Sequence, residues 1–599
     1  MSGAGDPENP IPHYPLIDTF RFRLVSLSIE AILREPTIYR RRERLSRTAD
    51  GLGWGDAYGT TIERIIVLDG GKSRLGIETL MWISHAEQPL RVDVLCYALA
   101  VELGSKDFNT GNAPSLLTLV SCCQGLITVD EETSTVRLIH PTLQEYLLSR
   151  LDLFNRPHSA MAEICLTFLN SKLVKALSAN CMLWKTPFLN YSSRYWGAHA
   201  KRDLSGSTKS LALELFREYD SHISAGFLIS EADSPGSWTS PTRSGARFSG
   251  LHCASFFGIV ELVTALVEID SHYINGKDSL GYTPLTWAAR NGHGGVVRVL
   301  LGRGGASPDM TDDRCRTPLS YAAQYGHEDV AKILLEREEV SPNMTDNGGR
   351  TPLSYAAQYG HEDVAKILLR HIEVCPNMED NRGRTLLSYA AQGGNEQVIS
   401  ILLARQTVNP DEPYNYGRTP LSYAAGDGRA GVVKMLLARQ EVNPDKEDRE
   451  GRTPLSHASQ GGHEGVAKIL LARQEVNPAE PNCIGQTPLS YAAEYGSEGV
   501  VKLLLGRKEV DPDKPDELGM TPLSRAASAG REEVVKLLLE QIEVKPDKPD
   551  ELGMTPLSRA AFGGHEGVVK TLLARQEVDP DWPAVFPTVP SGLQGPGVQ

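Results

Sequence analysis

The stretch whose residue types most resemble a reactive site is Ile65–Ser73, "IIVLDGGKS", where an apolar run precedes two glycines, a lysine and a serine. A phosphate-binding loop holds phosphate with backbone N–H groups, reaches the terminal phosphates with lysine and coordinates magnesium with a hydroxyl. It also needs a glycine five positions before the Gly-Lys pair, and this chain has Ile66, a β-branched residue poorly suited to positive φ. The sequence therefore favours an ordinary turn containing Lys72, with no catalytic residue and no cofactor site.

A second set of candidates consists of histidines that follow a recurring glycine: His293, His327, His361, His463 and His565. None belongs to the H-E-x-x-H pattern that places two zinc ligands on one helix face. The nine cysteines are scattered without a C-x-x-C pair, which argues against a zinc site or a disulfide framework. We predict no metal site, reduced thiols, and histidines that lie at turns between helices.

The elements that carry these histidines recur along more than half of the chain. Thr-Pro-Leu or a close variant returns every 34 residues, at Thr283, Thr317, Thr351, Thr385, Thr419, Thr453, Thr487, Thr521 and Thr555. Threonine is a good N-cap, proline suits the first helical position, and the later glycine ends the helix. Val330, Ile333 and Leu334 then give a second helix one apolar stripe before an "EVxP" break. One such pair buries too few side chains to fold alone, so the units must stack into a solenoid.

The repeat text, "TPLSYAA…GHE", resembles ankyrin repeats, whereas the Trp, Leu-Gly and Tyr pattern of the tetratricopeptide repeat is missing. The segment "FSGLHCASFFGIVELVTALVE" keeps Leu251, Ala254 and Gly258, and so adds a tenth, divergent repeat. Two departures are a period one residue longer than usual and serine in place of the usual histidine, which survives as His252. Because that histidine braces adjacent loops in the family, serine at Ser320 and Ser354 implies weaker bracing in each repeat.

Positions that vary between repeats are candidates for partner binding. The residue after the recurring serine or threonine is mostly aromatic and finally cationic: Trp287, Tyr321, Tyr355, Tyr389, Tyr423, His457, Tyr491, Arg525 and Arg559. We call these nine residues the stripe. If the ankyrin geometry holds, they lie toward the concave side, where they either bind a protein partner or pack against a neighbouring loop. Just before the helix-ending glycine, Tyr325, Tyr359 and Tyr495 should be more exposed and also contact a partner.

The N-terminal part of the chain carries a different pattern. Ile127–Val129 and Val136–Ile139 are short β-prone runs separated by "DEETS", which predicts a hairpin. A helix should follow from Pro141 and carry Leu143, Tyr146 and Leu147, and helices followed by a hairpin suggest a winged-helix shape. Because three carboxylates in the wing would repel phosphate, we expect no nucleic-acid partner.

Three segments, "STVRLIHPTLQEYL", "AEICLTFLN" and "PFLNYSSRYWGAHA", are similar to the part that follows the nucleotide-binding NACHT module in fungal-type NACHT-ankyrin signalling proteins. In that family the part couples a nucleotide switch to the repeat sensor. This chain begins about where a NACHT module would end, so the resemblance implies a regulatory remnant without the switch itself.

The predicted fold class is mainly α: about ten 34-residue ankyrin repeats form a solenoid behind a helical winged-helix-like domain. The expected divisions are an N-terminal, partly disordered segment (1–50), the winged-helix-like domain (51–150), a helical segment (151–215), a linker (216–247), the ankyrin array (248–579) and a disordered tail (580–599). "YRRRERLSR" should form a solvated helix face rather than a nucleic-acid site.

The bulk properties limit the classes of function. The formal net charge of -14 disfavours nucleic acid and acidic membranes, and no apolar run is long enough to cross a bilayer. We therefore expect a cytoplasmic or nuclear, non-enzymatic scaffold or sensor that binds protein partners in signalling. The alternative is a truncated or split component of a NACHT-type switch.

Overall fold

The computed structural model describes residue 40 and residues 54–177, 186–233, 247–269, 273–303, 305–413 and 416–580. The chain divides into two compact units: the first runs to Ala288 and includes Arg298–Ala306, and the second comprises Ala289–Val297 and everything from Ser307 onward. The predicted helix at "YRRRERLSR" lies outside the described residues except for Arg40, and so does the predicted tail beyond residue 580.

Among the described residues, the first unit begins with a small domain in which four α-helices precede a β-hairpin and one follows it. The hairpin is antiparallel, pairing Ile127 with Leu138 and Val129 with Val136, and a short third strand completes the sheet order β1-β3-β2. The predicted hairpin is confirmed, and Leu143 and Leu147 are buried. The elements are α1 (Trp54–Ile66), α2 (Gly70–His85), β1 (Leu90–Arg91), α3 (Val92–Leu99), α4 (Leu116–Cys122), β2 (Ile127–Asp130), β3 (Thr135–Leu138) and α5 (Pro141–Ser149).

A bundle of helices follows in the same unit. Its core is aromatic, with the ring of Trp82 5.6 Å from Phe188 and 5.7 Å from Tyr191 in edge-on contacts. Part of the predicted linker over 216–247 is helical, because the apolar run "ISAGFLIS" buries Phe227 and Leu228; residues 234–246 lie outside the described part. The helices are α6 (Pro157–Leu169), α7 (Lys172–Lys175), α8 (Phe188–Arg202), α9 (Gly206–Phe216) and α10 (Ile223–Asp233).

The divergent first repeat packs directly on this bundle. Its helices are α11 (Gly250–Phe257) and α12 (Val260–Ile269). The ring of Trp196 lies 5.2 Å from Phe257, and a Cβ atom at Gly197 would overlap the Phe257 ring. Glycine at position 197 therefore permits the close approach of α8 to this repeat. The boundary between the two units falls within the next helix pair, α13 (Pro284–Arg290) and α14 (Gly294–Gly302).

The described part of the second unit contains eight further helix pairs, as the 34-residue period predicts. In the first of them Thr317 Oγ1 accepts a hydrogen bond from Ser320 N at 3.2 Å, and Gly326 ends the helix with φ of 76°. The pairs are Pro318–Tyr325 and Glu328–Leu335 (α15, α16), Pro352–Tyr359 and Glu362–Arg370 (α17, α18), Leu386–Gly393 and Glu396–Leu403 (α19, α20), Pro420–Gly426 and Ala430–Leu437 (α21, α22), Pro454–Gly461 and Glu464–Leu471 (α23, α24), Pro488–Tyr495 and Glu498–Leu505 (α25, α26), Pro522–Ser528 and Glu532–Leu539 (α27, α28), and Pro556–Phe562 and Glu566–Leu573 (α29, α30).

Replacement of the usual histidine by serine changes how the loops are linked. In the first unit His252 Nε2 lies 3.0 Å from the carbonyl oxygen of Gly276 and 3.2 Å from that of Tyr282, which is the expected brace. Ser320 instead stays local, with its Oγ 3.1 Å from Thr317 Oγ1. Backbone hydrogen bonds link successive loops in the second unit, for example Asn347 N to Arg314 O at 3.0 Å.

No helix in the described part of the chain is both long and apolar enough to cross a membrane.

Candidate functional site

Most repeat loops hold a buried aspartate that accepts a set of hydrogen bonds. Asp346 Oδ1 accepts from the N–H groups of Gly348 at 2.8 Å and Arg350 at 2.9 Å. Its Oδ2 accepts from Arg350 Nε at 3.0 Å and from the Tyr355 hydroxyl at 2.7 Å. The Arg350 guanidinium also lies 4.7 Å from the centre of the Tyr355 ring, so the three side chains form one closed cluster.

The electrostatics of this cluster agree with its geometry. Burial alone would raise the pKa of Asp346, but hydrogen bonds from Tyr355 and Arg350 outweigh burial and lower it. Burial, followed by hydrogen bonding to Asp346, raises the pKa of Tyr355. The carboxylate therefore stays ionised and the phenol stays protonated at neutral pH.

The other stripe residues mostly serve the same loop position. The Tyr321 and Tyr389 hydroxyls donate to Asp312 at 2.6 Å and to Asp380 at 2.7 Å. The remaining contacts of this kind are Trp287 Nε1 to Asp278 (2.8 Å), His457 Nε2 to Asp448 (3.0 Å), Arg525 Nε to Asp516 (3.0 Å), Arg559 Nε to Asp550 (2.7 Å) and Asn482 Nδ2 to the Tyr491 hydroxyl (2.8 Å). Tryptophan, tyrosine, histidine and arginine can all occupy this position because each donates to a loop carboxylate, whereas Tyr491 accepts from the Asn482 amide.

Of the two alternatives for the stripe, partner binding and packing, its burial favours packing. Seven of its members are buried, namely Trp287, Tyr321, Tyr355, Tyr389, Tyr423, His457 and Tyr491, while Arg525 and Arg559 are half-buried in ion pairs. The packing alternative fits better, with one difference: the loop that is contacted belongs to the residue's own repeat. The 34-residue period places each stripe residue at the same position of its repeat. It does not reveal that a loop aspartate accepts the hydrogen bond from the side chain at that position.

The tyrosines that precede the helix-ending glycine are exposed. We call them the helix-end tyrosines: Tyr325 is 41% exposed, Tyr359 50% and Tyr495 47%. Tyr325 and Tyr359 stack on His327 and His361, with ring centres 6.3 and 6.5 Å apart. The Arg290 guanidinium also lies 5.4 Å from the centre of the Tyr325 ring, so these contacts hold the rings in place while about half of each side chain remains exposed.

A second exposed set was missed at the sequence level. Ile484, Leu518 and Leu552 occupy the tips of three successive repeat loops and are each about half exposed; we call them the tip row. Backbone hydrogen bonds of 3.0 Å, from Glu517 N to Ile484 O and from Glu551 N to Leu518 O, bring successive tips together. The available signal was an apolar residue before the loop glycine in three consecutive repeats.

The recurring histidines join neighbouring repeats in the second unit. His327, His361, His463 and His565 each place Nε2 2.8–3.0 Å from a carbonyl oxygen of the preceding repeat. Asn395 makes the equivalent contact with Gln358 O at 3.0 Å, and Arg429 with Gln392 O at 3.3 Å. Their shared role is therefore structural bracing.

Two candidates from the sequence remain in the first unit: the stretch that contains Lys72, and the wing of the hairpin. The apolar run before Gly70 covers the end of helix α1 and a short turn, and it is not a strand. The prediction of an ordinary turn at Lys72 is wrong, because Lys72 lies in the first turn of helix α2; Ser73 Oγ donates to Ile66 O at 2.9 Å. Arg137 pairs with Asp130 at 2.9 Å, while Glu131 and Glu132 remain exposed, so the wing surface stays acidic.

Comparison with protein families yields two matches. A model of ankyrin repeats (three copies) matches residues 228–312, 304–380, 373–448, 440–516 and 499–581, which together span more than half of the chain. A model described as the winged helix domain of GPI inositol-deacylase matches residues 62–160. No curated protein matches the chain.

Proposed function

This chain belongs to the ankyrin-repeat family, and we propose that it is a non-enzymatic scaffold or sensor that binds a protein partner in signalling. Ankyrin repeats imply protein partners in general, and neither matched family model describes a catalytic domain. The observation that carries the proposal is the exposure of the helix-end tyrosines, while the stripe residues four positions earlier are buried. Held aromatic rings that are open to solvent are typical anchors of protein interfaces.

The tip row is a second exposed set that we propose for partner contact. Its three apolar side chains lie beside Glu517 and Glu551, which are themselves exposed. An apolar row with acidic neighbours suits a partner segment that combines aliphatic and basic residues. The helix-end tyrosines and the tip row are thus the two exposed sets that we propose for partner contact, and the buried stripe is left out.

Affinity purification of the tagged full chain with quantitative mass spectrometry tests this surface. We expect the amount of each co-purified partner to fall by roughly tenfold or more when Tyr325, Tyr359 and Tyr495 are changed to alanine. The matched control changes Ile372 and Ile542 to alanine, since these apolar residues are 96% and 98% exposed in other loops. If the wild type, the tyrosine variant and the isoleucine control enrich the same proteins equally and have the same circular dichroism, the helix-end tyrosines are not the binding site.

The cysteines support placing the protein in a reducing compartment, which we propose to be the cytoplasm. Eight cysteines of the described part are free, and three of these, Cys315, Cys375 and Cys483, are exposed. Exposed thiols persist where glutathione keeps them reduced. Alkylation of intact cells followed by mass spectrometry should find them unpaired.

The winged-helix domain supports a second candidate function, as a component of a NACHT-type nucleotide switch. The order of a winged-helix domain followed by ankyrin repeats agrees with the sequence resemblance to NACHT-ankyrin proteins. The genomic sequence upstream of Met1 would support this candidate if it encoded an in-frame strand, phosphate loop and helix. Calorimetry with ATP and GTP distinguishes a chain that binds nucleotide from a scaffold that does not.

A further inference from the structure

A cluster of histidines and a glutamate lies in the first unit, away from the repeats. His158 is in the first turn of α6, His199 is in α8, and Glu87 follows the end of α2. The Nδ1 atoms of the two histidines are 2.9 Å apart, and Glu87 Oε1 lies 3.9 Å from His199 Nδ1. One ligand atom from each residue therefore falls within 4.8 Å of the other two.

The two imidazoles are held in a specific geometry. Their rings are nearly parallel, with centres 5.2 Å apart, and His199 is fully buried. His199 Nε2 lies 2.9 Å from the Tyr191 hydroxyl, which also accepts a hydrogen bond from Glu87 N at 3.2 Å. A single proton can lie between the two Nδ1 atoms, so in this pair one histidine donates and the other accepts.

Glu87 presents an oxygen toward the histidines. Its Oε2 accepts a hydrogen bond from Arg202 at 3.2 Å, and its Oε1 lies 2.5 Å from the same guanidinium. Within the part of the chain that the structure describes, Oε1 is nevertheless buried without a hydrogen bond of good geometry. Its partner is the Arg202 charge, and the same oxygen faces His199 Nδ1 at 3.9 Å, so an ion bound by the histidines would share it with Arg202.

We propose that Glu87, His158 and His199 bind a divalent transition-metal ion of the zinc type, through two imidazole nitrogens and one carboxylate oxygen. Three protein ligands of this kind, with water in the remaining position, form a common zinc site. Tyr191 orients His199, and Arg202 orients Glu87, as groups behind metal ligands do. Arg202 also lowers the affinity through its charge, so the site binds less tightly than one without a neighbouring cation.

The protonation states suit metal binding at neutral pH. Burial, then the charge of Arg202, lowers the pKa of His158 to about 4; burial, then His158, lowers that of His199 to about 3. Both rings are therefore neutral and need not lose a net proton to the solvent. When the metal binds, the Nδ1 atoms of both rings lose their shared proton and each ring carries its proton on Nε2. For His199 this Nε2–H faces the Tyr191 oxygen. Glu87 and His158 are half-buried, and this provides a path for the ion.

The test uses the full chain stripped with a chelator and titrated with Zn²⁺ by calorimetry. We expect one strong equivalent that is weakened by roughly tenfold or more in His158→Gln and in Glu87→Gln. His361→Gln is the matched control, because it removes a half-buried repeat histidine that braces a loop. Unchanged affinity in both site variants, or no binding by the wild type, would overturn the proposal.

Cobalt substitution separates this site from the exposed cysteines. A Co²⁺ complex with nitrogen and oxygen ligands lacks the thiolate charge-transfer band that Cys315, Cys375 or Cys483 would produce. We expect no such band at one equivalent of Co²⁺, and a band of full intensity would overturn the assignment. Circular dichroism of each variant verifies that the bundle remains folded.

Discussion

The Tyr355 hydroxyl donates a 2.7 Å hydrogen bond to Asp346, nine residues earlier in the same repeat. Four residues later, on the same helix, Tyr359 leaves half of its surface exposed. Two tyrosines of one helix thus have different environments: the first is buried against the loop of the repeat, and the second lies at the surface.

Replacement of Tyr355 by phenylalanine should destabilise the array. The change removes a buried hydrogen bond to a carboxylate, which is worth ~1.5–3 kcal/mol of unfolding free energy. Tyr359→Phe is the matched control and should change the stability by less than about 0.5 kcal/mol, because its hydroxyl is at the surface. Urea unfolding followed by circular dichroism measures both; equal midpoints would contradict the role assigned to Tyr355.

Acid should destabilise the repeat that contains His457 earlier than its neighbours. Burial lowers the pKa of His457 and outweighs the hydrogen bond to Asp448, which would raise it. Below the unfolded-state pKa of about 6.5 the unfolded chain gains a proton that the folded chain does not bind, so stability falls as the pH drops through this range. Burial opposes ionisation of Asp448, but hydrogen bonds from His457 and Arg452 lower its pKa to about 2, so its own contribution is lost between about pH 4 and 2.

His457→Tyr restores the residue found in most repeats and removes the first of these two effects. We expect the variant to lose less stability than the wild type between pH 7 and 5, as measured by urea midpoints at each pH. Parallel pH profiles for the two proteins would show that His457 does not titrate on unfolding.

The histidine braces predict a graded series at position 361. His361→Ala leaves the Gln324 carbonyl without its 3.0 Å contact and should cost about 1 kcal/mol of stability. His361→Asn should retain most of it, because Asn395 makes the same contact in the next repeat. Hydrogen exchange of the helices on either side reads out local opening; identical exchange in both variants would reject a bracing role.

Two glycines should respond to alanine with opposite signs. Gly428 has φ of 72°, and a Cβ atom there would lie 2.6 Å from His463 Nδ1, so Gly428→Ala should destabilise the protein by more than about 1 kcal/mol. Gly465 lies in helix α24 with open space around its Cβ position, so Gly465→Ala should stabilise it by about 0.5–1 kcal/mol. Thermal unfolding of the two variants checks the signs, and a shift in the same direction for both would contradict this account.

The repeat, the helix caps and the wing were accessible from sequence because each depends on residues close in the chain. Thr317 caps the helix that it precedes, and Ile127 and Leu138 pair across a short turn. Turn and cap chemistry is local, so residue type and spacing are sufficient to predict it.

The sequence alone therefore determined the architecture of this protein: paired helices at a 34-residue period behind a hairpin-containing domain. The tertiary structure decided which residues are free to act, since it turned the stripe inward onto loop aspartates and left the helix-end tyrosines outside. It also brought Glu87, His158 and His199 together from three separate elements. Period and propensity describe neighbours along one element, whereas burial and ligand geometry depend on contacts between elements.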